Sequence, residues 1–336
     1  MPRVLVTGGA GFIGSHVVDR FAAHGYDVEV LDNLSTGRRE NLHPKARLHE
    51  LDIRAAEAAR LVREGQFDVI AHLAAQIDVR RSVADPVNDA GINVLGTINL
   101  AEAVRQSATP ARTRFVFSST GGALYGDFVE PPNVETYPKD PESPYGIAKL
   151  SAEYYLAYYA RVHGVETAAV RFANVYGPRQ DPHGEAGVVA IFCGRLLDGR
   201  PLTVFGDGSQ TRDYVYVGDV AEATFLAATH ALPEPGRLDA RGFNVGTGEE
   251  TSVVALAEAL GRVAGTPPRI EYAPSRPGEQ QRSVVNNAKA RSVLGWQPQH
   301  RLEDGLGETY RFFAARRAAA EARPTAASPA PSGAAR

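Results

Sequence analysis

Four glycines directly behind a short β-branched run constrain this chain more than any other feature. Thr7-Gly8-Gly9-Ala10-Gly11-Phe12-Ile13-Gly14 follows an apolar strand expected over residues 4–7 and leads into a helix expected over 12–24. Gly8 permits a tight turn, Gly11 lets a backbone come close to a pyrophosphate, and Gly14 lets helix pack on strand. The helix N-terminus behind them offers free N–H groups and partial positive charge to phosphates. A plain turn accounts for a bare glycine pattern equally well, so the context has to decide. Asp32 closes the next expected strand, residues 27–31, at 18 positions beyond Gly14. A carboxylate there accepts from ribose hydroxyls and repels a 2′-phosphate, which favours NAD over NADP. Arg38 and Arg39 lie near enough to keep NADP open. Asp52, behind a third strand, reads either as a partner for the adenine amino group or as a turn or helix-cap aspartate.

The rest of the first half repeats the same alternation. Strands are expected at 47–51, 69–73, 114–118 and 166–171, with helical stretches between them, the clearest over 144–162. Alternation of this kind makes a doubly wound parallel α/β sheet of the Rossmann type. Past Arg171, Gly and Pro become frequent and the elements shorter, as in a smaller interleaved α/β domain. The expected division is a dinucleotide domain over 1–172, to which part of 213–245 returns, and a second domain from 173–212 and 246–315. The tail 323–336, rich in Ala, Pro and Ser, is expected to be disordered. Charge is nearly balanced, 36 basic against 39 acidic residues, which argues against nucleic acid as a partner. No apolar run reaches a membrane span. The single Cys193 can form neither an internal disulfide nor a cysteine zinc site, and a cytoplasmic location is expected. His72, His163 and His183 have no companions at metal-ligand spacing and read as structural or solvated; no metal is expected.

Tyr145-Gly146-Ile147-Ala148-Lys149 sits on the long helix, where residues four apart share a face. A free phenol titrates near 10 and is a poor base at neutral pH, but a neighbouring ammonium favours the phenolate. An ordinary amphipathic helix is the plain alternative, since Tyr154, Tyr155, Tyr158 and Tyr159 follow. Lysine is scarce, however: four against 32 arginines. Composition alone predicts about 0.15 Tyr-x-x-x-Lys pairs, so the pair stands out. Ser118-Ser119-Thr120 emerge at a strand end, the sheet edge where open α/β folds bind ligands. Hydroxyls are also common strand-end caps.

At this point the chain resembles the extended short-chain dehydrogenase/reductase superfamily and, within it, the UDP-glucose 4-epimerases. The carriers are residues 8–14, Asp32-Asn33-Leu34, Leu73-Ala74-Ala75-Gln76, Asn93, 118–126, 145–149, 174–177, Arg212-Asp213-Tyr214 and Arg276-Pro277-Gly278-Glu279, and the likeness covers 4–310. It implies that Tyr145 is the acid/base, that Lys149 positions the nicotinamide ribose and that Thr120 assists proton transfer. It implies NAD contacts at Gly8, Gly11, Phe12 and Ile13, at Asp32, Asn33, Ser35, Thr36 and Gly37, and at Asp52 and Ile53. Further contacts are implied at Leu73, Ala74, Ala75, Gln76 and Asn93, then at Ser118, Ser119, Tyr145, Lys149 and Phe172.

For the substrate, a UDP-hexose, the resemblance puts Asn174 beside the diphosphate with Arg212 and Arg276, and Glu279 at the uridine ribose. Val188 and Phe205 would flank the uracil, with Thr203 and Tyr214 nearby. Guanidinium forks suit phosphate, although each arginine taken alone reads as a surface charge. The implied reaction removes the 4-OH proton and moves hydride from C4 to NAD; the 4-keto sugar then turns and takes the hydride back on its other face. Dehydratases and decarboxylases carry an acidic residue right after the catalytic Thr or Ser; here Gly121 and Gly122 follow Thr120. A UDP-glucuronate 4-epimerase remains as an alternative, as do another nucleotide-sugar oxidoreductase and a non-catalytic NAD-binding regulator. Asp181, where some glucuronate enzymes carry an arginine, disfavours the first. Small Ser283 leaves room for an N-acetyl group. A homodimer joined through 85–105 and the Tyr145 helix is implied.

Overall fold

A computed structural model describes residues 1–182, 187–275 and 280–322. The expectations for His183, Arg276, Glu279 and the tail 323–336 fall outside the described residues. The first half runs β1 (Arg3–Thr7), α1 (Phe12–Ala23), β2 (Asp27–Leu31), β3 (Arg47–His49), α2 (Ala56–Glu64) and β4 (Val69–His72). It continues with α3 (Val79–Ala84), α4 (Pro86–Ala90), a π-turn at Gly91–Leu95, α5 (Gly96–Arg105), β5 (Arg114–Thr120), α6 (Pro144–His163) and β6 (Glu166–Phe172). Then come β7 (Asn174–Tyr176), α7 (Val188–Leu197), β8 (Leu202–Phe205), β9 (Thr211–Arg212), β10 (Tyr214–Tyr216), α8 (Val217–Thr229) and β11 (Gly242–Val245). The chain closes with β12 (Thr251–Ser252), α9 (Val253–Ala264), β13 (Ile270–Ala273), β14 (Arg282–Ser283), α10 (Ala288–Leu294) and α11 (Leu302–Glu321).

Seven strands form one parallel sheet in the order β11-β6-β5-β4-β1-β2-β3. Chain order runs outward from β1 to β3 and then restarts at β4 on the other side of β1. That reversal opens a crevice at the C-terminal ends of β1 and β4, where such sheets take their ligands. Apart from the edge strand β3, the strands are buried on both faces, and the period of two divides their side chains between two cores. Val4 and Val6 join Val17, Val18 and Phe21 of α1 on one face; Leu5, Ile70, Phe115 and Phe117 join Leu100 of α5 and Leu156 of α6 on the other. A third core, with Tyr176, Phe192, Val204, Leu256 and Phe313, holds the C-terminal elements together. Ile13 of α1 packs against both the first and the third core, so the glycine turn sits where they meet.

Two strand boundaries differ from expectation in ways that matter. The third strand ends at His49 rather than 51, because Asp52 turns the chain by accepting the Arg54 N–H at 2.8 Å. The fifth strand extends to Thr120 rather than 118: Ser118, Ser119 and Thr120 pair with Val170, Arg171 and Phe172 of β6. The hydroxyls are therefore held by the sheet itself and obey its alternation.

Candidate active site

The glycine turn has the geometry a phosphate cradle needs. Gly8 has φ +70°, and a Cβ on it would stand 2.7 Å from the Ala74 nitrogen; both the left-handed backbone and the contact forbid a side chain. A Cβ on Gly14 would stand 2.0 Å from the Gly8 carbonyl oxygen. Gly11 caps α1 with no side-chain hydrogen bond, so the first N–H groups of the helix face outward without an intrahelical partner. Gly8 N–H donates to the Leu31 carbonyl at 2.8 Å, tying the turn to β2.

Asp32 closes this cradle. It is buried, and its carboxylate accepts the Ala10 N–H at 3.0 Å and the Leu34 N–H at 2.8 Å. Burial pushes its pKa up, and those two donors oppose the shift. A carboxylate has capacity beyond two donors, so ribose hydroxyls can still be accepted. A Cβ on Gly37 would lie 2.8 Å from Asp32 Oδ1, which leaves glycine as the residue that fits beside it. Ser35 and Thr36 are exposed on the same loop, and Asn33 Oδ1 accepts the Ser35 N–H. Both cations that kept NADP open meet acids: Arg38 pairs with Asp181 at 3.3 Å, and Arg39 with Glu50. Asp52 faces Arg54 through two donors, at 2.9 and 2.7 Å, and Arg54 holds its carboxyl below the usual range. Ile53 packs under Gly96.

Beyond the crevice, a polar stripe runs through the protein. Asn93 lies buried on the π-turn; its amide donates to the Gln76 carbonyl and to Asp89 Oδ1 at 2.9 and 3.0 Å, and its Oδ1 accepts the Gln76 N–H. Thr97, four residues on, donates to the Asn93 carbonyl and meets His72 Nε2 at 3.0 Å. His72 Nδ1 reaches Thr7 Oγ1 at 2.7 Å, and that hydroxyl accepts the N–H groups of Leu73 and Ala74. His72 is thus structural; full burial pushes its pKa down to about 3 and keeps it neutral. Leu73, Ala74 and Ala75 are half-buried at the end of β4.

Tyr145 and Lys149 enter from α6, whose start is fixed by Ser143 accepting the Gly146 N–H, with Pro144 in the first turn. A Cβ on Gly146 would come 2.7 Å from the Ala123 carbonyl, so the helix end lies tight against the loop after β5. Lys149 is buried and donates to the Ser118 carbonyl at 2.8 Å, with its ammonium 4.7 Å from the Phe117 ring centre and 5.9 Å from that of Tyr145. Burial pulls its pKa down to about 7, against the pull of Asp89 and Glu153. A lysine titrating near neutrality in a crevice is a functional signature.

Strand alternation separates the three hydroxyls. Ser118 and Thr120 share the half-open face, while Ser119 points away and donates to Glu153 of α6. Ser119, expected at the cofactor, therefore has only its backbone to offer there. Phe172 likewise turns its ring into the first core, and its carbonyl accepts the Gly121 N–H at 2.7 Å. Around the α-carbon of Gly122, three polar atoms converge: the position of a Cβ there lies 3.6 Å from Ser283 Oγ, 3.8 Å from Asn174 Oδ1 and 3.9 Å from Thr120 Oγ1. Thr120, Asn174 and Ser283 come from β5, β7 and β14, so only the tertiary structure brings them together. A Cβ on Gly121 would stand 2.7 Å from Val285, leaving no space for an acidic side chain right after Thr120.

Other expected substrate residues are more scattered. Val188 opens α7, Phe205 ends β8 and Arg212 ends β9, donating to the Thr211 carbonyl at 2.8 Å. Thr203 accepts from Arg195 at 2.6 Å, and Tyr214 is buried in the third core. Sequence reasoning missed Asp213 as an anchor: it accepts from Thr247 N, Thr247 Oγ1 and Gly248 N at 2.7, 2.6 and 3.1 Å, pinning the loop behind β11. It also missed Asp89, Thr97, Glu153 and Arg171. The four-residue spacing of Asp89, Asn93 and Thr97 was the available signal. No group of metal-binding side chains occurs among the described residues, and no helix there is long and apolar enough to cross a membrane.

A family model, NAD dependent epimerase/dehydratase family, matches residues 4–246. The chain is 48% identical over 316 residues to the UDP-glucose 4-epimerase of Mycolicibacterium smegmatis, covering 93% of this chain and 98% of the relative. Its fold is similar to the crystal structure of UDP-glucose 4-epimerase with UDP-glucose from Thermotoga maritima, at TM-score 0.88 and 44% identity, covering 94% and 99%. It is similar also to the Thermus thermophilus UDP-glucose 4-epimerase complex with NAD, at TM-score 0.84 and 45% identity, covering 93% and 99%. The chain belongs to the NAD dependent epimerase/dehydratase family, and NAD is its cofactor.

Proposed function

We propose that this chain interconverts UDP-galactose and UDP-glucose by epimerisation at C4, with Tyr145 as the acid/base. The observation that carries the reading is the Tyr145–Lys149 pair, whose ammonium lies 5.9 Å from the tyrosine ring centre and donates to the Ser118 carbonyl of β5, two strands from the β1 that leads into the glycine turn. NAD would be held by that cradle, Asp32, Gln76 and Asn93, and when bound it supplies a reversible hydride acceptor. Tyr145 takes the proton of the sugar hydroxyl, and the Lys149 ammonium stabilises the phenolate that receives it. Thr120, on the same face of β5 as Ser118, donates to the sugar oxygen while its proton is in transit. Asn174 and Arg212 serve the diphosphate.

N-acetylated UDP-hexoses are also proposed as substrates, because the side chain at position 283 is a serine facing Gly122. A neutral hexose is favoured over a uronate, since position 181 is an aspartate paired with Arg38 rather than an arginine that could meet a sugar carboxylate. The proposed division of labour gives 1–172 and the returning elements to NAD, and 173–212 with 246–315 to the UDP-sugar. A homodimer is supported by exposed apolar side chains on packed neighbours: Val83 and Val87 from α3 and α4, with Ile147, Tyr154, Tyr158 and Val162 along one side of α6. Such a stripe is suited to burial against a second copy. The cytoplasm is the proposed compartment, in keeping with a lone buried Cys193.

The test is a coupled assay on UDP-galactose without added NAD, using wild type and Tyr145→Phe. Loss of an acid/base group should lower kcat by about 10²–10⁴, with bound NAD unchanged. Near wild-type turnover by the variant would refute the assignment.

A further inference from the structure

One buried carboxylate beside this machinery has no role in the scheme above. Asp89, on α4, is 1% exposed. Its Oδ1 accepts from Gln76 Nε2 at 2.8 Å and from Asn93 Nδ2 at 3.0 Å, whereas Oδ2 is buried with no hydrogen-bond partner among the described residues. A carboxylate sealed from water without a cation is costly, and among the described residues none pairs with it. The structure nevertheless seals Asp89 in and fastens it with two neutral amides, which hold its position without cancelling its charge.

Helix α4, which carries Asp89, packs directly against α6, which carries Lys149, an equally buried cation whose hydrogen bond goes to a neutral carbonyl. Four groups bear on the ammonium. Glu153 lies one turn along α6, but Arg171, fully buried, takes its carboxylate at 2.6 Å and Ser119 donates to it as well. His72, from β4, is neutral, and Tyr145 is the proton-transfer partner. Asp89, from α4, is the remaining anion, and its field raises the lysine against the effect of burial. The π-turn that follows re-phases the helix so that Asn93 reaches back to it, in keeping with the placement of such turns at functional sites.

We propose that Asp89 is a positioning residue for the proton-transfer pair: its carboxylate, fixed by Gln76 and Asn93, is the counter-charge that keeps Lys149 protonated on the Ser118 carbonyl. This rests on the acid/base reading of Tyr145. The sign follows directly. Without the anion the ammonium loses its proton at lower pH, and the phenolate loses its stabilising neighbour there too. The alkaline limb of activity therefore moves down.

The experiment is the pH profile of UDP-galactose epimerisation from pH 5.5 to 10 for wild type, Asp89→Asn and Asp89→Glu, with bound NAD and circular dichroism recorded for each. In Asp89→Asn the alkaline limb should fall by about one pH unit, which is about tenfold in rate at a fixed pH on that limb. KM should change less than twofold, and Asp89→Glu should restore the limb to within a few tenths of a unit. A rate lowered equally at every pH, with the limb unmoved, overturns the proposal by making Asp89 a packing residue. If Asp89→Asn does not fold, Asp89→Ser, which leaves space for water, gives the same readout. Absence of epimerisation in the wild type sinks the functional reading instead; an active wild type with an unmoved limb sinks this inference alone.

Discussion

Replacing Glu153 by Gln should destabilise the protein by an amount that the geometry fixes. The Arg171 guanidinium is wholly buried and meets Glu153 through three contacts, at 2.6, 3.0 and 3.2 Å. Its other partners are Asp239 at 2.8 Å, the Tyr125 hydroxyl and the Glu135 carbonyl. The Asp239 side chain is 20% exposed and also serves Lys139, so it cannot replace what Glu153 provides. Removing one partner of a buried pair leaves an uncompensated charge, at a cost of about 3–5 kcal/mol. For 336 residues, an unfolding entropy of about 2.1 cal/mol/K per residue gives about 0.7 kcal/mol/K. The expected drop in Tm is therefore about 4–7 °C, read by scanning calorimetry with NAD held at a fixed saturating concentration. Arg171→Met should cost a similar amount, and the double variant less than the sum of the two singles. A Tm loss under about 1 °C in Glu153→Gln would show that the pair behaves like one in water, and the reasoning from burial would be wrong.

Other consequences follow from the same structure. Gly14→Ala forces a Cβ to 2.0 Å from the Gly8 carbonyl; overpacking of about 1–3 kcal/mol at the cradle should weaken NAD binding about tenfold or more, measured by titration calorimetry, and unchanged affinity would remove the turn from the cofactor site. His72 titrates at about 3 folded against 6.5 unfolded, so below pH 6.5 the unfolded chain binds a proton that the folded one refuses. Stability should then fall with pH between about 6.5 and 3, His72 adding up to about 1.4 kcal/mol per unit; urea midpoints should show a shallower slope in His72→Gln, and an unaltered slope contradicts the assignment. Ser283→Tyr should abolish turnover of UDP-N-acetylglucosamine while leaving UDP-galactose within a few-fold, by competition assay. Tyr154→Glu should shift a dimer to monomers in sedimentation, and an unchanged mass would displace the proposed interface.

The glycine turn, Asp32 and the Tyr145–Lys149 spacing were legible in the sequence because each is a local rule. Left-handed backbone at Gly8, a strand end at Asp32 and a four-residue helical repeat depend on a few neighbouring residues. The doubly wound sheet was legible for a related reason: near-continuous apolar runs such as Phe115-Val116-Phe117 suit only strands buried on both faces. What sequence alone left open was decided by contacts between distant segments. Ser119 looked like Ser118 and Thr120 until β5 proved to extend through all three, and the pleat then sent it to Glu153. Asp89 and Glu153 drew no reading from the sequence; burial removes the water that would screen them, and Glu153 then meets the Arg171 guanidinium from β6. The meeting of Thr120, Asn174 and Ser283 around Gly122 joins three strands far apart in sequence. No local propensity encodes such a point in space; it exists because hydrophobic packing, including the small cluster of Leu124, Tyr125 and Val285, fixes the elements that carry it.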